Sequence, residues 1–127
     1  MKGKVAVITG GASGLGRASV KRFAANGAKC AIFDMNAEKG QALADELGDN
    51  VIFCNVNVTD EDSVKAGILA TMDAFGAIHI NCNYAGTGNA MRTMGKNGPF
   101  PLADFTRIIN INLIGTFNVL RLCAEKM

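Results

Sequence analysis

The stretch Thr9-Gly10-Gly11-Ala12-Ser13-Gly14-Leu15-Gly16 decides the fold. Before it runs Val5–Thr9, short, apolar and rich in β-formers. After it the apolar residues recur at helical spacing, Leu15, Ala18 and Phe23 among them, through Asn26. Gly27 then closes that helix as a left-handed cap. Each glycine of the loop has its own reason to be there. Gly10 stands where the chain turns tightly off the strand, Gly14 where backbone must approach a ligand without a Cβ in the way, and Gly16 where helix and strand pack closely.

Outward from this loop the element types alternate. Lys29–Asp34 reads as a second strand, and Asn36 caps a helix that runs to Leu47 and stops at Gly48. Residues 51–58 read as a third strand. Thr59 or Asp60 caps a third helix, whose first turn holds Glu61 and Asp62 where the helix dipole favours acids, and which ends near Phe75-Gly76. Residues 78–84 read as a fourth strand. Residues 86–101 contain Gly86, Gly88, Gly95, Gly98, Pro99 and Pro101, so a loop is expected there. From Leu102 the pattern is helical to Met127.

Strands and helices in alternation, with short connections, imply parallel strands joined by right-handed crossovers. The strands are nearly continuous in apolar residues, as expected when both faces of a sheet are covered. The expected fold class is α/β, a doubly wound Rossmann-type parallel sheet, in one domain spanning residues 1–127.

In such a domain the amides opening the first helix point at a bound diphosphate. Asp34, closing the second strand, is placed to accept hydrogen bonds from an adenosine ribose and would repel a 2′-phosphate. Ser13 and Met35 occupy the usual places for a basic residue that holds a 2′-phosphate, and neither is basic. The expected cofactor is NAD rather than NADP.

Composition removes several other classes. The chain has 127 residues, 49% hydrophobic and 19% charged, which argues for a packed core and against disorder. A net charge of +2, from 13 basic and 11 acidic residues spread evenly, gives no footprint for nucleic acid or an anionic membrane. No apolar run approaches the ~18 residues of a membrane helix. Cys30, Cys54, Cys82 and Cys123 show neither metal-ligand nor Cys-x-x-Cys spacing. Reduced, buried thiols in an intracellular protein, cytoplasmic or mitochondrial, are expected, with no metal site. His79 has no supporting nucleophile and reads as a surface residue at a strand end.

The spacing Thr-Gly-x-x-x-Gly-x-Gly resembles the short-chain dehydrogenase/reductase family. Two further segments carry the resemblance: Asn83-Tyr84-Ala85-Gly86, similar to the Asn-Asn-Ala-Gly closing that family's fourth strand, and Asn110-Ile111-Asn112-Leu113-Ile114-Gly115-Thr116-Phe117, similar to the segment around its active-site asparagine. The extended loop ahead of this last segment resembles that of the type-2 3-hydroxyacyl-CoA dehydrogenases. Those enzymes oxidise the 3-hydroxyl of acyl-CoA thioesters with NAD, and some also act on hydroxysteroids.

The resemblance implies a strand order of 3-2-1-4 in this portion. It assigns Ser13 and Leu15 to the diphosphate, Asp34 to the adenosine ribose, and Val58 to a backbone contact. Tyr84 and Gly86 would line the nicotinamide ribose through backbone, while Asn83 would bind the backbone of neighbouring strands. Asn57 replaces the usual aspartate facing the adenine amino group, where its amide oxygen would accept a weaker, uncharged hydrogen bond. His79 replaces an acid, and Asn81 replaces an apolar residue within the fourth strand, at a cost of about 1–3 kcal/mol if it is buried without partners.

Of the family's four catalytic positions only Asn112 has a counterpart. No Tyr-x-x-x-Lys occurs, since the single tyrosine, Tyr84, belongs to the fourth-strand motif. The chain is expected to be the cofactor half of a longer enzyme, whether truncated, split or incompletely recorded. Alone it would leave strand four as an open edge and bind NAD without turnover. The parent enzyme would act on an acyl-CoA alcohol and assemble as a homo-oligomer. The competing readings are a non-catalytic binding or interaction module, an NADPH-dependent 3-oxoacyl-carrier-protein reductase, and an S-adenosylmethionine methyltransferase. The last leaves the Asn83–Gly86 and Asn112 segments without a purpose.

Overall fold

A computed structural model describes residues 1–127. Strands β1 (Val5–Thr9), β2 (Lys29–Asp34), β3 (Val51–Asn55) and β4 (Ile80–Asn83) form one parallel sheet in the order β3-β2-β1-β4. The doubly wound α/β class and the strand order agree with the sequence reading. Alternate residues of the central strands feed two cores. Ala6, Ile8, Cys30 and Ile32 pack with Val20 of α1 (Gly14–Ala25) and Leu43 of α2 (Ala37–Leu47). Val7, Ala31 and Phe33 pack with Val64 and Ile68 of α3 (Glu61–Phe75) and Val119 and Leu122 of α5 (Thr116–Lys126). Each fully buried Val, Ile or Phe contributes about 2 kcal/mol through lost apolar surface, which is why both faces of β1 and β2 are apolar.

The helices come close to the sheet where they carry glycine. A Cβ on Gly40 would collide with the Phe53 ring, and one on Gly67 would lie 2.7 Å from Val56 Cγ2. Local chemistry sets the helix ends. Asn36 Oδ1 accepts from Lys39 N at 3.0 Å. Asp60, rather than Thr59, caps α3, its Oδ1 accepting from Asp62 N and Ser63 N. Gly76 ends α3 at φ +75°.

Several details differ from the sequence reading. β3 ends at Asn55 rather than at residue 58, because Asn57 folds its side chain back onto Thr59 and leaves the ladder. β4 starts at Ile80, since Ile78 is buried without pairing while the exposed His79 bridges to Val5 through both its backbone N–H and Nδ1. The 86–101 segment is not wholly irregular: β5 (Met94–Gly95) and β6 (Gly98–Pro99) form a small antiparallel hairpin within it.

The C-terminal helix is continuous in path but not in pitch. α4 (Leu102–Ile109) passes through a π-helical turn, Asn110–Gly115, into α5. Asn81 is only half-buried and has partners: its Oδ1 accepts from Asn83 Nδ2 at 2.6 Å and its Nδ2 donates to Val7 O at 3.5 Å. The unpaired buried atom is its neighbour's, Asn83 Oδ1.

Candidate functional site

At the carboxyl ends of the strands lies a cavity of about 1120 Å³. One wall is the glycine loop. Gly10 sits at φ +63°, and a Cβ on it would lie 2.8 Å from Ala85 N, so the loop and the end of β4 come together only around glycine. A Cβ on Gly16 would strike the Gly10 carbonyl. Gly14, at φ +51°, has open space where a Cβ would project, beside Ser13 and Leu15 on the cavity wall. These are features a cradle for a bulky anion needs: a helix start on the cavity wall, with a glycine whose Cβ position opens onto free space.

Asp34 stands at the edge of this cradle and is held rigidly. Its Oδ2 accepts from Ala12 N at 3.0 Å and its Oδ1 from Asn36 N at 2.9 Å. Each oxygen keeps a lone pair for a further donor. The loop itself is tied to β2 by Gly10 N donating to Phe33 O at 2.8 Å.

The wall after β4 is organised by Thr9. Its buried hydroxyl accepts from both Tyr84 N and Ala85 N, each at 3.1 Å. Ser19 of α1 donates to the Tyr84 hydroxyl at 3.0 Å, adding a second tie between the first helix and this strand end. Asn112, in the π-helical turn, clasps the next loop at two points. Its Oδ1 accepts from Thr87 N and its Nδ2 donates to Thr87 O, both at 2.8 Å. With more residues in each π-helical turn, the angular step between successive side chains is smaller. Asn110 and Ile111 therefore line the cavity while Asn112 still reaches Thr87.

The cavity brings together all but two of the site residues expected from sequence. Asn83 is not on its wall, and Asn112 stands behind Thr87, which is. One atomic expectation is corrected. The Asn57 amide oxygen is not a free acceptor, because Thr59 N and Thr59 Oγ1 both donate to it.

Sequence reasoning missed the wall formed by Leu102, Ala103, Thr106 and Arg107 of α4. The signal was present as an i, i+1, i+4, i+5 pattern, but nothing in a single sequence says that this face meets the strand ends. It also missed Gly115 and Asn118. Gly115 lets the helix approach Val58, whose Cγ2 would lie 2.6 Å from an added Cβ, and buried Asn118 donates through Nδ2 to Val58 O at 2.9 Å. Together they fix the segment carrying Asn57 and Val58.

The thiols stand apart from the site. Burial pushes Cys30 and Cys54 up to about 11 and Cys123 up to about 12, and all four cysteines are free. No helix is long and apolar enough to cross a membrane.

A parallel sheet of order 3-2-1-4 with a glycine cradle and an acid at the next strand end defines a Rossmann-type nucleotide-binding protein. The model of the short chain dehydrogenase family matches residues 4–127, and the chain belongs to that family. It is 46% identical to the 3-hydroxyacyl-CoA dehydrogenase type-2 of Drosophila melanogaster and 41% identical to that of Homo sapiens, across 100% of its own length. It spans about half of those relatives, 51% and 49% of their length. A crystal structure of 3-hydroxyacyl-CoA dehydrogenase type-2 from Mycobacterium avium superposes with a TM-score of 0.90 at 43% identity, over 98% of this chain and 48% of that one. Dehydrogenase chemistry of this family calls for a nicotinamide cofactor.

Proposed function

We propose that this chain is the NAD-binding portion of an oxidoreductase that transfers hydride from the carbinol carbon of a 3-hydroxyacyl-CoA, or a related secondary alcohol such as a hydroxysteroid. The observation that carries this reading is one cavity joining the glycine cradle to a carboxylate already held by two backbone N–H groups. The substrate class is supported by the relatives at 41–46% identity, which are 3-hydroxyacyl-CoA dehydrogenases type-2.

The nicotinamide ring, when bound, supplies the hydride-accepting carbon. The chain supplies position. The amides around Ser13, Gly14, Leu15 and Gly16 hold the diphosphate, with Gly10 allowing the turn. Asp34 accepts from the adenosine ribose hydroxyls and repels a 2′-phosphate. Tyr84, Ala85 and Gly86 flank the nicotinamide ribose through backbone, fixed by Thr9. Asn83 serves the sheet, and Asn112 acts here as a positioning residue through its clasp on Thr87.

The general base is another matter. A tyrosine serving as base in this family works with a lysine four residues on, and Tyr84 has Ser19 against its hydroxyl and Gly88 four residues on. The 127-residue chain therefore binds NAD without oxidising the alcohol. Fluorescence titration with NADH and NADPH tests the cofactor, with NADH at least tenfold tighter expected; tighter NADPH overturns the reading of Asp34. Turnover of a 3-hydroxyacyl-CoA with NAD by this chain would overturn the absence of a base.

Leu113, Phe117 and Leu120 lie exposed along the C-terminal helix, where they suit contact with a second subunit. Sedimentation as a monomer at every concentration would remove that part of the proposal.

A further inference from the structure

Tyr84 follows β4 directly and continues its alternation. Ile80 and Cys82 pack into the core beneath α1 and α2, and the Tyr84 side chain reaches Ser19 on that same α1. Its backbone faces the glycine loop instead. The Tyr84 N–H donates to Thr9 O at 3.2 Å and to Thr9 Oγ1 at 3.1 Å, and a Cβ on Gly10 would lie 3.0 Å from the Tyr84 carbonyl oxygen. Thr9 precedes the glycine loop and Ser19 follows it, so this one residue is tied to the chain on both sides of the loop.

The Ser19–Tyr84 contact, 3.0 Å between hydroxyl oxygens, is the one hydrogen bond that joins α1 to the β4 side of the sheet. The charged ties of α1 run the opposite way, from Arg17 and Lys21 to Glu46 of α2. The two walls that the contact joins are the ones assigned above to different parts of one ligand. The cradle at the start of α1 takes the diphosphate, and the backbone of Tyr84, Ala85 and Gly86 takes the nicotinamide ribose. Their separation has to match the ligand, and walls held in place beforehand cost less to order on binding.

We propose that the Tyr84 hydroxyl, through Ser19, is a positioning group that sets the spacing between the cradle and the nicotinamide-ribose wall, and so favours the whole dinucleotide over its ADP half. The proposal rests on the dinucleotide reading above. ADP reaches Asp34 and the cradle but not the Tyr84 wall, so its binding is indifferent to the latch. Either hydroxyl can donate, so losing either one breaks the bond, whereas Ser19→Thr keeps it.

The experiment is calorimetric titration of the whole chain, of Y84F, S19A and their double variant, and of S19T, with NADH and with ADP. Y84F and S19A should each bind NADH about fivefold more weakly than the parent. The double variant should be no weaker than either, S19T should match the parent, and ADP binding should be the same throughout. Unchanged NADH binding in Y84F, an equal loss for ADP, additive losses in the double variant, or a loss in S19T matching that in S19A overturns the proposal and leaves the dinucleotide site standing. So does NADH binding without measurable ADP binding. Binding of neither ligand by a chain whose circular dichroism shows it folded overturns both.

Discussion

β2 and β4 each run parallel to β1, yet Cys30, Ala31, Ile32 and Phe33 are fully buried while every residue of β4 is only half-buried. β2 is flanked by β3 and covered by helices on both faces. β4 is the last strand of the sheet and carries Asn81 and Asn83 where apolar side chains would otherwise pack. The polar pair is ordered from the inside outward. The Val7 carbonyl accepts a hydrogen bond from Asn81 Nδ2, Asn81 Oδ1 accepts one from Asn83 Nδ2, and the last acceptor, Asn83 Oδ1, has no partner. The contrast teaches that the β1–β2 side is finished by this chain's own residues, while the β4 side keeps hydrogen-bonding capacity and apolar surface unused.

The widest gap between the two sides should appear in core truncation. Phe33→Ala is expected to cost about 4 kcal/mol by denaturant unfolding, against about 1 kcal/mol for Ile80→Ala on β4; equal losses would remove the distinction. Next comes backbone crowding. Gly16→Ala drives a Cβ into the Gly10 carbonyl and should cost about 3 kcal/mol, whereas Gly88→Ala, with open space around it, should leave the midpoint nearly unchanged. A smaller effect concerns the amide pair. A double-mutant cycle on Asn81→Ala and Asn83→Ala should return a coupling of about 1 kcal/mol, and zero coupling would mean that the 2.6 Å contact does not hold the strand end together.

The finest effect is pH-dependent. Cys30 and Cys54 keep their protons up to about 11 in the folded chain, whereas an exposed thiol loses its proton near 9. The unfolded state therefore binds fewer protons between those values, and stability from these groups is constant below pH 9 and declines towards pH 11. Thermal unfolding from pH 8 to 11 should show a shallower decline in Cys54→Ala than in the parent. At neutral pH alkylation should reach Cys82 first, the one cysteine that is not buried.

Much of the fold was legible along the chain because its signals are local. Glycine at 27, 48 and 76, Asn36 and the acids after Asp60 mark helix ends through bonds to residues three or four away. The glycine spacing and Asp34 pointed to one site for a similar reason, since strand, turn and helix there are consecutive. What could not be read is which of several competing partners a polar side chain takes, near or far in sequence. β3 stops early because Asn57 turns back on Thr59 and is braced by Ser63, and an apolar run gives no hint of that choice. Asn57 was expected to offer its oxygen. Only the position of the Thr59 N–H decides that the oxygen is spent and the amine remains.

The amino-acid order alone determined that four short apolar strands alternate with capped helices, and that backbone is bare where the first strand meets the first helix. Those properties follow from side-chain volume, chirality and capping within a few residues. Tertiary structure decided that α4 walls the cavity and that Asn112 clasps Thr87. Hydrogen bonds are directional, so their use is settled only when chain segments far apart in sequence are brought within three ångströms.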